Sequence, residues 1–327
     1  MPSPKKTLIA GGAGYLGLTL ARALLASGRE VTILDSLLHG LPPALTSLNV
    51  NFLEGDIRDI SLTHRALQGF DEVVDLAALV GEPACDASPA EANQVNYLAA
   101  ANLAAAAETA GVQRFILAST DSCYGARENE KLTELSPLAP LSLYARTKAW
   151  AEAAILSRPP RPDFQPTVLR MATIYGLADR TRFDLAVNLL TREATLKKRI
   201  KIFSGEQWRP LVHVADAARA FVLALDAPPA LVSGQIFNVG SNEQNVQFKD
   251  LGALIAKVIP ETVVETIPEP PDLRDYWVDF DKIRLILRFQ PKYSLKAGIL
   301  ELRKAIIEGQ IPDPYAAWLV NYPGKQP

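Results

Sequence analysis

The stretch Leu8–Asp35, LIAGGAGYLGLTLARALLASGREVTILD, decides the fold. It reads as a short apolar strand, a glycine turn, a run of helix length and a second strand rich in β-branched residues, which together make a βαβ unit. Gly11, Gly14 and Gly17 stand directly after the first strand and at the opening of the helix, with Tyr15 and Leu16 between them. Glycines in these places permit a tight turn and close backbone approach, so that the helix N-terminus can receive a diphosphate. Such spacing is weak evidence alone. Asp35 strengthens it, because it closes the second strand about 20 residues on, where a carboxylate accepts hydrogen bonds from both ribose hydroxyls. Together they predict a dinucleotide site. The same carboxylate repels a 2′-phosphate, and Ser36, Leu37 and Leu38 offer no arginine to accommodate one, so the expected cofactor is NAD rather than NADP.

Outward from this unit, short apolar runs keep alternating with helix-length segments: VNFLEGD, DEVVDLAA, then 93–110, RFILAST, then 142–157, and PTVLRMA. Strands separated by helices imply right-handed crossovers and a parallel sheet covered on both faces. The fold class is therefore α/β, a Rossmann-type doubly wound parallel sheet. Asp56 and Ile57 in GDIRD end the third strand and fall beside the adenine; the competing reading of Asp56 is a turn carboxylate capping its own backbone. Segment 93–110 consists largely of strong helix formers, with Gly111 where a C-terminal cap would sit. Past residue 176 the pattern loosens into a loop and a helix, then a strand running into a helix at RPLVHVADAARAFVLALD, then QIFNVGS and Pro-containing connections. The reading is an NAD-binding domain of residues 1–176 plus 211–240, with a smaller substrate-binding domain of 177–210 plus 241–327.

Composition excludes other classes. Lys and Arg number 34 against 36 Asp and Glu, a net charge of -2, and no basic run is long enough to follow a phosphate backbone, so a nucleic acid is not an expected partner. The N-terminus lacks an apolar leader core, and no run of 18 apolar residues occurs, so a cytoplasmic protein without a membrane partner is expected. Two cysteines, Cys85 and Cys123, and three histidines at unrelated spacings support neither a disulfide framework nor a metal site.

The segment FILASTDSCYG, residues 115–125, runs from an apolar strand straight into hydrogen-bonding side chains. Strand ends at the carboxyl edge of such a sheet face the ligand crevice, so Thr120, Asp121, Ser122 and Tyr124 are expected beside any nicotinamide. In SLYARTK, Tyr144 and Lys148 lie four apart and so on one helical face. An ammonium near a phenol favours the phenolate, which suits Tyr144 to act as a general base, with Thr120 holding the substrate hydroxyl.

With these motifs in order, nearly the whole chain resembles the extended short-chain dehydrogenases/reductases, specifically the NAD-dependent nucleotide-sugar epimerase/dehydratase group. GGAGYLG, DIRD, LAALVGEP, VNYLAAANLAAAA, STDSCYG, YARTK, LRMATIYG, RPLVHVADAARA, FNVGS and DLRDYWVDFDKIR all contribute. The resemblance implies that Gly11, Gly14, Gly17 and Asp35 hold the cofactor, with Asp56, Ile57, Ala77, Ala78, Leu79 and Ser119 along its length. It implies Thr120 as the catalytic hydroxyl and Tyr144 as the base. Lys148 becomes its activator and a contact to the nicotinamide ribose. Thr173, Asn188, Arg209 and Arg274 are assigned to the substrate, the two arginines to a diphosphate.

The chain also departs from the group. Thr173 stands where an Asn is common, Pro210 where an Asp is common, and Asp75 where a His is common. His213 reads as a packed strand residue. Members that dehydrate across C5 and C6 show Asp-Glu at the position of Asp121-Ser122; a serine is a poor base, which disfavours 4,6-dehydration and leaves Asp121 as an available acid/base group, with the thiol of Cys123 one position late. The resulting expectation is an NAD-dependent 4-epimerase acting on a nucleotide-diphosphate sugar, as a homodimer. The alternatives are a 4-ketosugar reductase, then a dehydratase or decarboxylase, then a non-catalytic NAD-sensing protein.

Overall fold

The computed structural model describes residues 3–126, 130–158, 161–268 and 274–321. Seven strands form one sheet in the spatial order Gln235–Val239, Gln165–Met171, Arg114–Thr120, Glu72–Asp75, Lys6–Ala10, Glu30–Asp35, Asn51–Glu54. All neighbouring pairs are parallel. The chain therefore winds one way from the first strand, returns, and winds the other way from it, leaving a crevice at the carboxyl ends where the order reverses. The doubly wound sheet expected from the alternation is present.

Register explains why these strands are apolar nearly throughout. Ile9 lies beside Ile33 and Val74, and Val74 beside Ile116, a continuous row that faces the helices Tyr15–Ala26 and Val214–Asp226. One residue earlier, Leu8, Val73 and Phe115 form the row on the opposite face, packed against the helices Ala100–Thr109 and Leu143–Leu156. A sheet buried on both faces requires both rows to be apolar. The Ala-rich segment expected as one helix starts with a widened π-helical turn, Gln94–Ala99, before the regular helix; Gly111 at φ +81° follows its end.

A second core sits beyond the sheet edge. Strands Thr173–Tyr175, Trp208–His213 and Asn245–Gln247 form a separate sheet, and Arg199–Phe203 pairs with Val263–Ile267. Tyr175, Val187, Ile200, Ile202, Leu211, Ile255 and Ile299 fill the space between these strands and the helices Ala186–Lys197, Phe248–Val258 and Leu295–Ile307. The two portions interleave in sequence. The boundary drawn at 210 runs through the strand Trp208–His213, however, and Thr173–Tyr175 pairs with that strand rather than with the large sheet. Tertiary pairing decides where such edges fall, because a short buried strand reads the same whichever sheet receives it. Among the described residues no helix is long and apolar enough to cross a membrane.

Candidate active site

A cavity of about 630 Å³ opens along the carboxyl edge of the sheet, and the residues assigned to the site from sequence, Asn188 and Tyr124 excepted, line it. One end is built by the glycine loop. Gly11 adopts φ +74°, and a Cβ there would lie 2.6 Å from the backbone nitrogen of Ala77, so the loop presses directly on the segment after the fourth strand. At Gly17 a Cβ would lie 2.5 Å from the Gly12 carbonyl oxygen, which fixes the helix hard against its own loop. Gly14 caps the helix with no side-chain hydrogen bond, and the first turn carries no acidic residue. An uncapped N-terminus facing a cavity is an anion site. Tyr15 and Leu16 contribute to that turn, while the Tyr15 phenol points away, donating to the Gly176 carbonyl oxygen at 2.7 Å.

Asp35 follows as expected, its two carboxylate oxygens accepting the backbone N–H groups of Ala13 (2.9 Å) and Leu37 (2.8 Å). These bonds aim the carboxylate from the second strand towards the loop. Asp56 matches the competing reading in part: Oδ1 accepts the Arg58 backbone N–H and Oδ2 the Arg58 guanidinium, so it is a turn-capping carboxylate that also lines the cavity. Ile57, Ala77 and Ala78 complete the apolar wall. Leu79 is clamped by a residue the sequence reading passed over: buried Asn96 accepts its N–H (2.7 Å) and donates to its carbonyl oxygen (2.9 Å).

At the other end the strand Arg114–Thr120 delivers Thr120, whose hydroxyl oxygen accepts the Ser122 N–H at 3.2 Å. Ser142 caps the helix that carries Tyr144 and Lys148, which face the same cavity. The expected lowering of the Tyr144 pKa is not found. Burial, then the Glu82 carboxylate, push the phenol up, and burial pushes the Lys148 ammonium down. Asp75 lies behind Lys148, and its own carboxyl is pushed up to about 6 by burial against the opposing pull of that ammonium. Burial, with the Glu82 charge added to it, thus holds Tyr144 as a phenol in the cofactor-free protein.

Asp121 is 2% exposed, accepts a hydrogen bond from the Tyr276 hydroxyl at 3.2 Å through Oδ1, and has a buried Oδ2 with no partner. Burial pushes its carboxyl up to about 7, against the opposing pull of Arg209, Tyr276 and Arg274. Ser122 shares the Tyr276 hydroxyl at 3.4 Å. Arg209 donates to the Arg274 carbonyl oxygen and lies over the Tyr276 ring, and Arg274 pairs with Glu82 at 2.8 Å, so the two arginines come together and, like Thr173, line the same cavity as Thr120. Tyr276 was not singled out from the sequence, and only its place within DLRDYW marked it.

Three expected placements change. Asn188 is fully buried and braces the loop: its amide donates to the Arg182 carbonyl and the Tyr15 oxygen and accepts the Gly176 N–H, leaving nothing for a substrate. Tyr124 does not reach the cavity; its phenol donates to Asn238 and accepts from Arg170. Ser119 has its hydroxyl turned to Glu152 beneath the strand, so any cofactor contact falls to its backbone. Cys123 points to the Ala145 carbonyl, away from the chemistry. His213 is a packed residue as read, stacked on Tyr293 at 4.0 Å and bonded to Glu301. Arg180 and Arg182 also line the cavity, and they were unassigned because they sit in a loop without periodicity.

A family model described as the NAD dependent epimerase/dehydratase family matches residues 7–240. The chain belongs to this family. Its members are enzymes that use NAD, and the open helix N-terminus with the two crowded glycines fits such a dinucleotide. A UDP-glucose 4-epimerase of Mycolicibacterium smegmatis is 33% identical over 305 residues, covering 90% of this chain and 96% of that one. A dTDP-glucose 4,6-dehydratase of Streptomyces niveus is 28% identical over 312 residues, covering 90% and 91%. Among solved structures, MoeE5 in complex with UDP-glucuronic acid and NAD superposes with a TM-score of 0.82 at 26% identity, covering 93% of this chain and 99% of that one. For this family member the relatives thus span both epimerases and dehydratases.

Proposed function

We propose that the protein is a cytoplasmic, homodimeric, NAD-dependent nucleotide-sugar epimerase acting at C4 through a 4-keto intermediate. The reading is supported above all by Thr120, Tyr144 and Lys148 lining one cavity with the glycine loop and Asp35. The uncapped helix N-terminus, the glycine loop and Asp35 would hold the cofactor, which when bound supplies reversible oxidation and reduction at C4. Thr120 holds the C4 oxygen; Tyr144, a phenol in the cofactor-free protein, would take its proton as the phenolate, which the positive charge of a bound oxidised nicotinamide favours, and later return it. Lys148 keeps a positive charge beside the developing oxyanion. Arg209 and Arg274 fix the diphosphate of the substrate, so that the 4-keto sugar can turn while its nucleotide stays anchored. Ser122 supplies no strong base for abstraction at C5, which favours epimerisation over dehydration. Dimerisation through the helices 94–109 and 143–156 is supported by exposed Leu98 and Trp150 on those elements.

Asp121 favours a second reading. A carboxyl pushed to about 7 beside Thr120 can exchange a proton at neutral pH, as a dehydratase or decarboxylase needs. The test is chromatographic: protein with UDP-, dTDP-, GDP- and CDP-hexoses, following products and reduced nicotinamide together. Many turnovers to a same-mass sugar nucleotide without net NADH support the epimerase. Loss of 18 or 44 mass units supports the second reading, and consumption of reduced cofactor only with 4-keto sugars makes it a reductase.

A further inference from the structure

We propose that Arg180 is a cofactor-binding residue, a cation set into the far wall of the cavity whose counter-ion is the diphosphate of the dinucleotide. Arg180 is 2% exposed. Its Nη1 donates to the Asn321 side-chain oxygen at 2.9 Å and its Nη2 to the Val320 carbonyl at 3.4 Å, while Nε is buried with no partner. Its hydrogen-bond partners among the described residues are therefore neutral oxygens. Buried Arg170, Arg182 and Arg192 each carry a carboxylate, at 2.6, 2.6 and 2.9 Å. Removing a guanidinium from water with no carboxylate bonded to it is costly: burial, then the neighbouring Arg182 cation, pull Arg180 down to about 10 against the opposing pull of the Asp184 and Asp35 carboxylates, neither of which hydrogen-bonds it. A fold that retains such a charge on a cavity wall is prepared for an anion.

The position says which anion. Arg180 and Asp35 act on each other electrostatically, and His39, in the loop after Asp35, is held down by burial first and then by the Arg180 and Arg182 cations. Arg180 therefore belongs to the end of the cavity formed by Gly14 and Asp35, whereas Arg209 and Arg274 act on Asp121 at the other end. A dinucleotide lying between the helix N-terminus and this wall presents one charged group, its diphosphate, which would be held from both sides. The loop is in turn strapped by the end of the chain: Phe183 N–H donates to the Leu319 carbonyl at 2.9 Å, and Asn321 N–H to Asp184 at 3.4 Å. Residues 319–321 thereby set the guanidinium.

The inference rests on the cofactor alone and is independent of the sugar reaction, so the readout is binding. NAD-free wild type, Arg180→Gln and Arg180→Met are titrated with NAD, ADP-ribose, NADP and adenosine by calorimetry, and bound NAD is measured in each purified protein. The expected result is a loss of about 10- to 100-fold in affinity for NAD and ADP-ribose alike, the size of one charge-assisted hydrogen bond. Adenosine binding stays the same, and the NAD-free thermal midpoint is unchanged or higher. Asn321→Ala, which frees one anchor, weakens NAD several-fold and serves if the Arg180 variants do not fold. Equal loss for adenosine, NAD affinity within twofold of wild type, or a loss confined to NADP each overturns the proposal.

Discussion

Asp121→Asn tests whether the carboxyl beside Thr120 is held neutral by the fold. Its folded pKa of about 7 stands roughly three units above the unfolded value of about 3.9. For an acid whose folded pKa is raised, the stabilising effect of its proton is complete below the unfolded pKa and is lost as pH climbs to the folded one. Relative to a neutral side chain, ionisable Asp121 costs about 1.5 kcal/mol at pH 5 and about 4 kcal/mol at pH 8.5. Asparagine keeps the oxygen that accepts from Tyr276 and removes the titration. Thermal unfolding of the NAD-free variant should therefore gain over wild type by an amount that grows by about 2.5 kcal/mol between pH 5 and 8.5, roughly 5 °C at about 2 °C per kcal/mol. A difference independent of pH over that window would show the carboxylate ionised throughout, paired with Arg209 and Arg274, and would remove the basis for calling it a neutral-pH acid.

Three further outcomes follow from the same geometry. Tyr144→Phe should lower kcat by about 10²- to 10⁴-fold while the purified protein keeps its NAD; an unchanged rate would dismiss Tyr144 as the base. Gly17→Ala puts a Cβ 2.5 Å from the Gly12 carbonyl oxygen, where ordinary contact begins at 3.4 Å, so loop and helix must part by about 0.9 Å. It should cost about 1–3 kcal/mol in urea unfolding and empty the protein of NAD. Glu152→Gln leaves Arg170 buried without its 2.6 Å ion pair beneath the catalytic strand and should destabilise by about 3–5 kcal/mol, whereas a change under 1 kcal/mol would mean the pair is solvated.

Much of the site was legible because its residues are local to strand ends. Gly11, Gly14, Gly17 and Asp35 lie within one βαβ unit, and Thr120 and Tyr144 sit at the end of one strand and the start of the next helix, so a correct reading of periodicity places them all on one edge. Residues that depend on distant partners were not legible. Asn188 and Tyr124 have the right chemistry and nearly the right place, yet each is drawn into bonds with residues far along the chain, Tyr15 for one and Asn238 for the other. The direction of the Tyr144 shift was likewise missed, since spacing four residues to a lysine says nothing of burial or of Glu82 arriving from another segment.

The sequence by itself determined the parallel sheet, its winding and the dinucleotide end of the cavity, because alternation of apolar runs and the steric freedom of glycine are local properties that survive in any context. Only the tertiary structure decided which polar groups face the cavity and which are bound elsewhere. It alone brought Tyr276 to Asp121 and the end of the chain to Arg180. Burial and charge depend on what the remainder of the chain packs against a residue, and that sum is not written in any single stretch of it.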